Sequence, residues 1–147
     1  MKTSILALIA LTTVIAAIGL YNIPKEQPSN DDIPFSYCNP GGTPTIFKLT
    51  SVTSLLPIKR NKNTFVFVGD VLQSVFLKKL HVTAKISVFS KDFDKDLNYQ
   101  TVVGPLNDKL DVDLSSVPTT GTVYLTLQYS NAAGAVVDCQ NLKVNVH

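Results

Sequence analysis

An all-β fold, a two-sheet antiparallel sandwich, is what this sequence predicts. Three observations predict it. Short runs of alternating apolar and polar residues recur after residue 34. Gly, Pro, Asn and Asp punctuate them, and these residues break strands. The only two cysteines, Cys38 and Cys139, stand at opposite ends of the patterned stretch.

The stretch before the pattern has a different character. Lys2 is the only early charge, Ile5 to Leu20 is almost wholly apolar, and small residues (Ala16, Ala17, Gly19) close the run. A basic start, an apolar run and a small-residue exit read as a signal peptide over 1–20. No basic cluster follows to stop transfer. Residues 21–34 are polar and carry Pro24, Pro28 and Pro34, which reads as a flexible lead-in. The domain is then 35–147.

Asn39-Pro40-Gly41-Gly42-Thr43-Pro44 is a turn-rich loop, because Gly supplies positive φ and Pro fixes a bend. Seven strand-like runs follow: 46–53, 64–73, 79–89, 97–103, 109–114, 122–130 and 136–146. In the third, Leu80, Val82, Ala84, Ile86 and Val88 alternate with His81, Thr83, Lys85 and Ser87. A strand points successive side chains to opposite faces, so one face is buried and the other wet. Val123, Leu125, Leu127 and Tyr129 repeat the pattern, as do Leu142, Val144 and Val146. Ser130 to Gly134 reads as the hairpin connection between the last two runs. Seven short strands with turns between them make the sandwich.

Composition narrows the function. Without Lys2 the chain holds 12 basic and 11 acidic residues and no long basic run, which argues against nucleic acid as a partner. No Asn-x-Ser/Thr sequon occurs. Two cysteines in an exported chain pair most simply with each other.

Catalysis has little to build on. The histidines are His81, on the wet face of a run, and His147, the last residue; no Gly-x-Ser-x-Gly is present. Asp92-Phe93-Asp94-Lys95-Asp96 resembles the start of a calcium loop. Leu97 stands where that loop needs glycine and Val103 where it needs glutamate, so the segment reads as a charged connection. No zinc spacing occurs either. The expectation is a protein that is not an enzyme, with no metal and no cofactor.

Lys59-Arg60-Lys62 and Lys78-Lys79 are small basic groups. They serve solubility and protect strand edges, or they dock the protein on anionic headgroups at about 1 kcal/mol per residue. Phe65 and Phe67 share a strand face, and Phe76, Phe89, Phe93 and Tyr99 cluster near run ends. Such aromatics fill a core, or line a dry cavity between sheets held apart.

The order of motifs resembles a known family. Phe35-Ser36-Tyr37-Cys38 is followed by the Gly/Pro turn, then by Asn63-Thr64-Phe65-Val66-Phe67-Val68-Gly69. Val117-Pro118, Val123-Tyr124-Leu125-Thr126-Leu127-Gln128-Tyr129 and Asp138-Cys139-Gln140-Asn141-Leu142-Lys143-Val144 complete it. This resembles the ML lipid-recognition family, which includes phosphatidylglycerol/phosphatidylinositol transfer proteins and the lysosomal cholesterol carrier of Niemann-Pick type C disease. The aromatic-x-Tyr-Cys opening and Cys-x-x-Leu-x-Val close are most similar to the transfer proteins. The family's inner cysteines are absent: Ser90 to Lys109 contains none.

The resemblance implies an immunoglobulin-like two-sheet antiparallel sandwich with a lipid cavity between the sheets, and Cys38 and Cys139 match the family's terminal pair. It also implies a secreted or endolysosomal monomer that moves phospholipid between membranes. A sterol carrier of the same fold and an adhesion sandwich that binds protein are the alternatives. The lipid-binding residues expected are Phe65, Phe67, Val82, Ile86, Val123, Leu125, Leu127 and Val144, with Lys59, Arg60 and Lys62 docking on anionic membranes.

Overall fold

Alternation becomes two sheets in the computed structural model, which describes residues 32–147. The expected signal peptide and most of the lead-in lie outside these residues. The strands are β1 (Phe35–Tyr37), β2 (Phe47–Ser54), β3 (Lys62–Val71), β4 (Phe76–Ile86), β5 (Phe89–Gln100), β6 (Gly104–Asp113), β7 (Gly121–Asn131) and β8 (Val136–Val146). One sheet runs β1-β8-β7-β4-β5 and the other β2-β3-β6, every neighbouring pair antiparallel. This is the predicted two-sheet sandwich. Residues 32–34, read as the end of the lead-in, are held: Asp32 bridges Thr53, Ile33 N donates to Val52 O, and Pro34 O accepts from Lys143 N.

The inner faces follow the alternation. Leu80, Val82, Ala84 and Ile86 on β4, Val123, Leu125, Leu127 and Tyr129 on β7, and Leu142, Val144 and Val146 on β8 are all buried. They meet Phe47, Leu49 and Val52 of β2, Phe65 and Phe67 of β3, and Leu110 and Val112 of β6 in one core. Each fully buried Leu, Val or Phe contributes about 1.5–3 kcal/mol, so the facing sheets hold each other with no α-helix among the described residues. Cys38 and Cys139 are disulfide-bonded, which fixes the end of β1 to β8, its only sheet partner among the described residues.

Two readings of the pattern need correction. The run 79–89 is not one strand. Its chain reverses at Ser87-Val88, with Ser87 at φ 51°, and Val88 is fully exposed rather than inward. Alternation continues through a two-residue turn, so periodicity alone cannot see the reversal. The segment Asp92–Asp96 is likewise no connection; it forms the middle of β5. β5 is a sheet edge, where charges are tolerated and discourage pairing with another chain. Only Phe89, Phe93, Leu97 and Tyr99 of this strand turn substantial apolar surface inward or sideways.

β2 carries a bulge between Leu49 and Ser51, opposite Gly69 and Val68. A Cβ on Gly69 would lie 2.0 Å from the Lys48 carbonyl oxygen and 2.9 Å from the Leu49 Cα. Both are backbone atoms, so the strand itself would have to shift. Gly69→Ala is therefore expected to lower stability by about 2–3 kcal/mol, read from the urea midpoint. An unchanged midpoint would mean that β2 slides at no cost.

Candidate functional site

The two sheets do not close on each other along one side. There β5 and β6 are the outer edges of different sheets, joined only by the crossing at 101–103. Between them opens a cavity of about 260 Å³. Its buried wall is Phe47, Leu49, Phe67, Leu80, Leu110, Tyr129 and Gln140, drawn from both sheets. Leu97, Tyr99 and Leu106 stand nearer the mouth, and Lys95, Asp96, Asp108 and Lys109 form an exposed rim. Lys95 pairs with Leu80, so it shares the inner face of the sheet and stands over the opening. The rim carries two cations and two anions.

The interior is apolar with a few polar groups. The Tyr129 ring packs edge-on against Phe47, with centroids 5.0 Å apart. Burial, and then the neighbouring Tyr99, Asp138 and Asp108, push the Tyr129 hydroxyl well above its usual range. Burial and then Asp108 push Tyr99 the same way. Both hydroxyls therefore stay protonated at any physiological pH and remain available as donors.

Gln140 is fully buried, and neither its Oε1 nor its Nε2 has a hydrogen-bond partner among the described residues. Its neighbour on the same face, Asp138, is also fully buried but well partnered. Asp138 Oδ2 accepts from Ile46 N and Phe47 N at 3.2 and 2.9 Å, and Oδ1 from Asn39 Nδ2 and Cys139 N at 2.7 and 3.0 Å. Leu49 N donates to Tyr37 Oη at 2.8 Å. These bonds tie β2 of one sheet to β1 and β8 of the other, beside the wall residues Phe47, Leu49 and Gln140.

At the end of the sandwich nearest the cavity, two loops are clamped side by side. Thr101 Oγ1 donates to Gln73 O and accepts from Val75 N, while Thr101 N donates to Val75 O. Around this clamp Leu72, Phe76, Val102 and Val103 are exposed, Val102 to 76%. Isolated exposed apolar residues are ordinary, but three on these clamped loops and one at the start of β4 form a patch.

Of the residues read from the sequence as lipid-binding, Phe67 lines the cavity. Phe65, Val82, Ile86, Val123, Leu125, Leu127 and Val144 are packed in the core and do not belong to the cavity wall. The docking group is not part of the cavity wall: Lys62 begins β3, roughly 17 Å of strand from Phe67, although its ion pair with Asp111 holds it next to the wall residue Leu110. Arg60 Nε donates to Val117 O at 2.8 Å, and Lys62 pairs with Asp111 at 3.3 Å. The Thr64 hydroxyl, and then Lys62, hold Asp111 below the usual carboxylate range. His81 faces solvent beside Asp94 and Asp92, away from the cavity wall. Among the described residues, no three His, Cys, Asp or Glu side chains gather as a metal site.

A signal for the missed wall residues was present in β8. Counting back by twos from Leu142 places Gln140 and Asp138 on the buried face. The β5 and β6 contributions had no such signal, because their charged residues resemble a solvated loop.

No family model and no curated protein match the sequence. Among solved structures, the chain is similar to chicken MD-1 complexed with lipid IVa, at 13% identity and a TM-score of 0.47, covering 78% of this chain and 89% of that one. It is also similar to a Niemann-Pick type C2 protein from Japanese carpenter ant, at 9% identity and a TM-score of 0.45, covering 78% of this chain and 99% of that one.

Proposed function

We propose that this protein binds a lipid between its sheets, without covalent chemistry, and exchanges it at membrane surfaces. The observation that carries the reading is the cavity of about 260 Å³ opening between the β5 and β6 edges of an otherwise packed sandwich. An adhesion sandwich has no use for such a gap, since an unfilled core forfeits packing. The size suits one acyl chain or a comparably slim apolar body, toward the small end of ligand pockets. Each methylene moved from water into it gains about 0.8 kcal/mol. Phospholipid, with phosphatidylglycerol and phosphatidylinositol suggested by motif resemblance, and sterol are the cargo classes this reading covers.

Exchange needs a way onto the bilayer, because a lipid there is already in apolar surroundings. Val102 and Val103 stand in the chain between the cavity residues Tyr99 and Leu106, with Leu72 and Phe76 beside the Thr101 clamp, whereas Arg60 and Lys62 are engaged with Val117 O and Asp111. We therefore assign membrane contact to the apolar loops. The basic group serves solubility and local pairing in this reading.

Leu106→Trp on the edge strand should fill the mouth and lower uptake of a fluorescent single-chain lipid at least tenfold, with the melting temperature nearly unchanged. Val102→Asp with Val103→Asp should instead slow transfer between vesicles while uptake from solution persists. Normal uptake by the folded Leu106→Trp protein would refute the cavity reading. Unaltered vesicle transfer by the double variant would refute the assigned docking surface.

A further inference from the structure

We infer that the cavity takes a neutral lipid alcohol hydroxyl end first, with Gln140 hydrogen-bonding the hydroxyl at the inner end; this rests on the lipid-cavity reading above. Gln140 belongs to the cavity wall, is fully buried, and leaves both its carbonyl oxygen and its amide nitrogen without a partner among the described residues. Buried polar side chains nearly always have a partner, so an unpaired one in a ligand cavity points to a group that the ligand supplies. A primary amide offers one acceptor and two donors, and a hydroxyl offers the complementary donor and acceptor. An ionised group is a poor match. A carboxylate or phosphodiester cannot donate to the Gln140 oxygen, an ammonium cannot accept from its nitrogen, and the buried charge beside Gln140, Asp138, is already taken up by four N–H donors. Tyr129 and Tyr99, both kept protonated, add donors along the way in.

Polarity along the cavity supports this orientation. The exposed rim carries charges of both signs, while the buried wall is aliphatic and aromatic except for the Tyr129 hydroxyl and Gln140, the least exposed of its residues along with the core Leu80. Entry hydroxyl first also fits exchange at a surface. A lipid in a bilayer holds its hydroxyl at the water interface, so a carrier seated there meets that end before the tail. The apolar tail then comes to rest near the mouth, on the side of the exposed Leu72, Phe76, Val102 and Val103.

The test compares decan-1-ol with 1-bromodecane, alike in length but differing in the donor, by displacement of a bound apolar fluorophore. The unaltered protein should prefer the alcohol by about tenfold or more, since a lost hydrogen bond leaves the amide unpaired. Gln140→Met, of similar length and without polar atoms, should lose that preference while still binding 1-bromodecane. Equal affinities in the unaltered protein would overturn the inference and leave the lipid cavity standing. Failure of both probes to bind would overturn the lipid-cavity reading itself. The first comparison needs no variant, so misfolding of Gln140→Met cannot shield the inference. A preference that survives in folded Gln140→Met would also overturn it, by assigning the recognition to another group.

Discussion

Asp138→Ala is expected to cost about 4 kcal/mol or more and to leave little folded protein at physiological temperature. The carboxyl group is fully buried and accepts from Ile46 N, Phe47 N, Asn39 Nδ2 and Cys139 N. Three of these donors lie far away in the chain and belong to the β2 start and the loop before it. Alanine would leave the buried Ile46 and Phe47 N–H groups with no acceptor, at about 1–3 kcal/mol each, while Asn39 Nδ2 keeps only its bond to Thr43 O. The same bonds hold the β2 start against β8 beside the cavity, so binding should fail with stability. Asp138→Asn makes a sharper test. It preserves size but turns an NH₂ toward N–H donors on one side, so it should still lose much of that stability. Urea unfolding decides it: a loss below about 1 kcal/mol for the alanine variant would mean that the donors find other acceptors.

Cys139→Ser should lower stability by about 4–5 kcal/mol in the chain-entropy model, for a bond that closes a loop of 101 residues. Native contacts add to this. β1 is three residues long and pairs only with β8 through Phe35, Ser36 and Tyr37. Once β1 frays, Tyr37 no longer accepts from Leu49 N, and a wall strand of the cavity loosens. Cys38→Ser should match Cys139→Ser, and the double variant should cost little more, because all three remove one bond. Additive losses in the double variant would show that each thiol matters on its own. A reductant should shift the melting temperature of the unaltered protein and leave both serine variants unmoved.

How much of this was legible in the chain differs from strand to strand. β4, β7 and β8 were plain, since Leu80 to Ile86, Val123 to Tyr129 and Leu142 to Val146 each put every second residue in one core. β5 was not, because Asp92, Asp94, Lys95 and Asp96 give an edge strand the composition of a loop. Val88 misled in the opposite sense. It continues an apolar alternation and yet sits in the turn, since burial depends on where the chain reverses and not on residue type.

The sequence by itself determined the fold class, the inward faces of the central strands and the pairing of its only two cysteines. Those follow from local rules: the period of two in a strand, and the lack of any other thiol. Tertiary structure alone decided where the sandwich stays open. Phe67 and Phe65 are the same residue type on the same face of one strand, yet one lines the cavity and the other is sealed in the core. The difference lies in what each faces across the sheets. The β5 and β6 edges separate beside Phe67, whereas Phe65 has the packed core around it. Which pair of edges is left unjoined is fixed by strand order, a long-range property that no local pattern encodes.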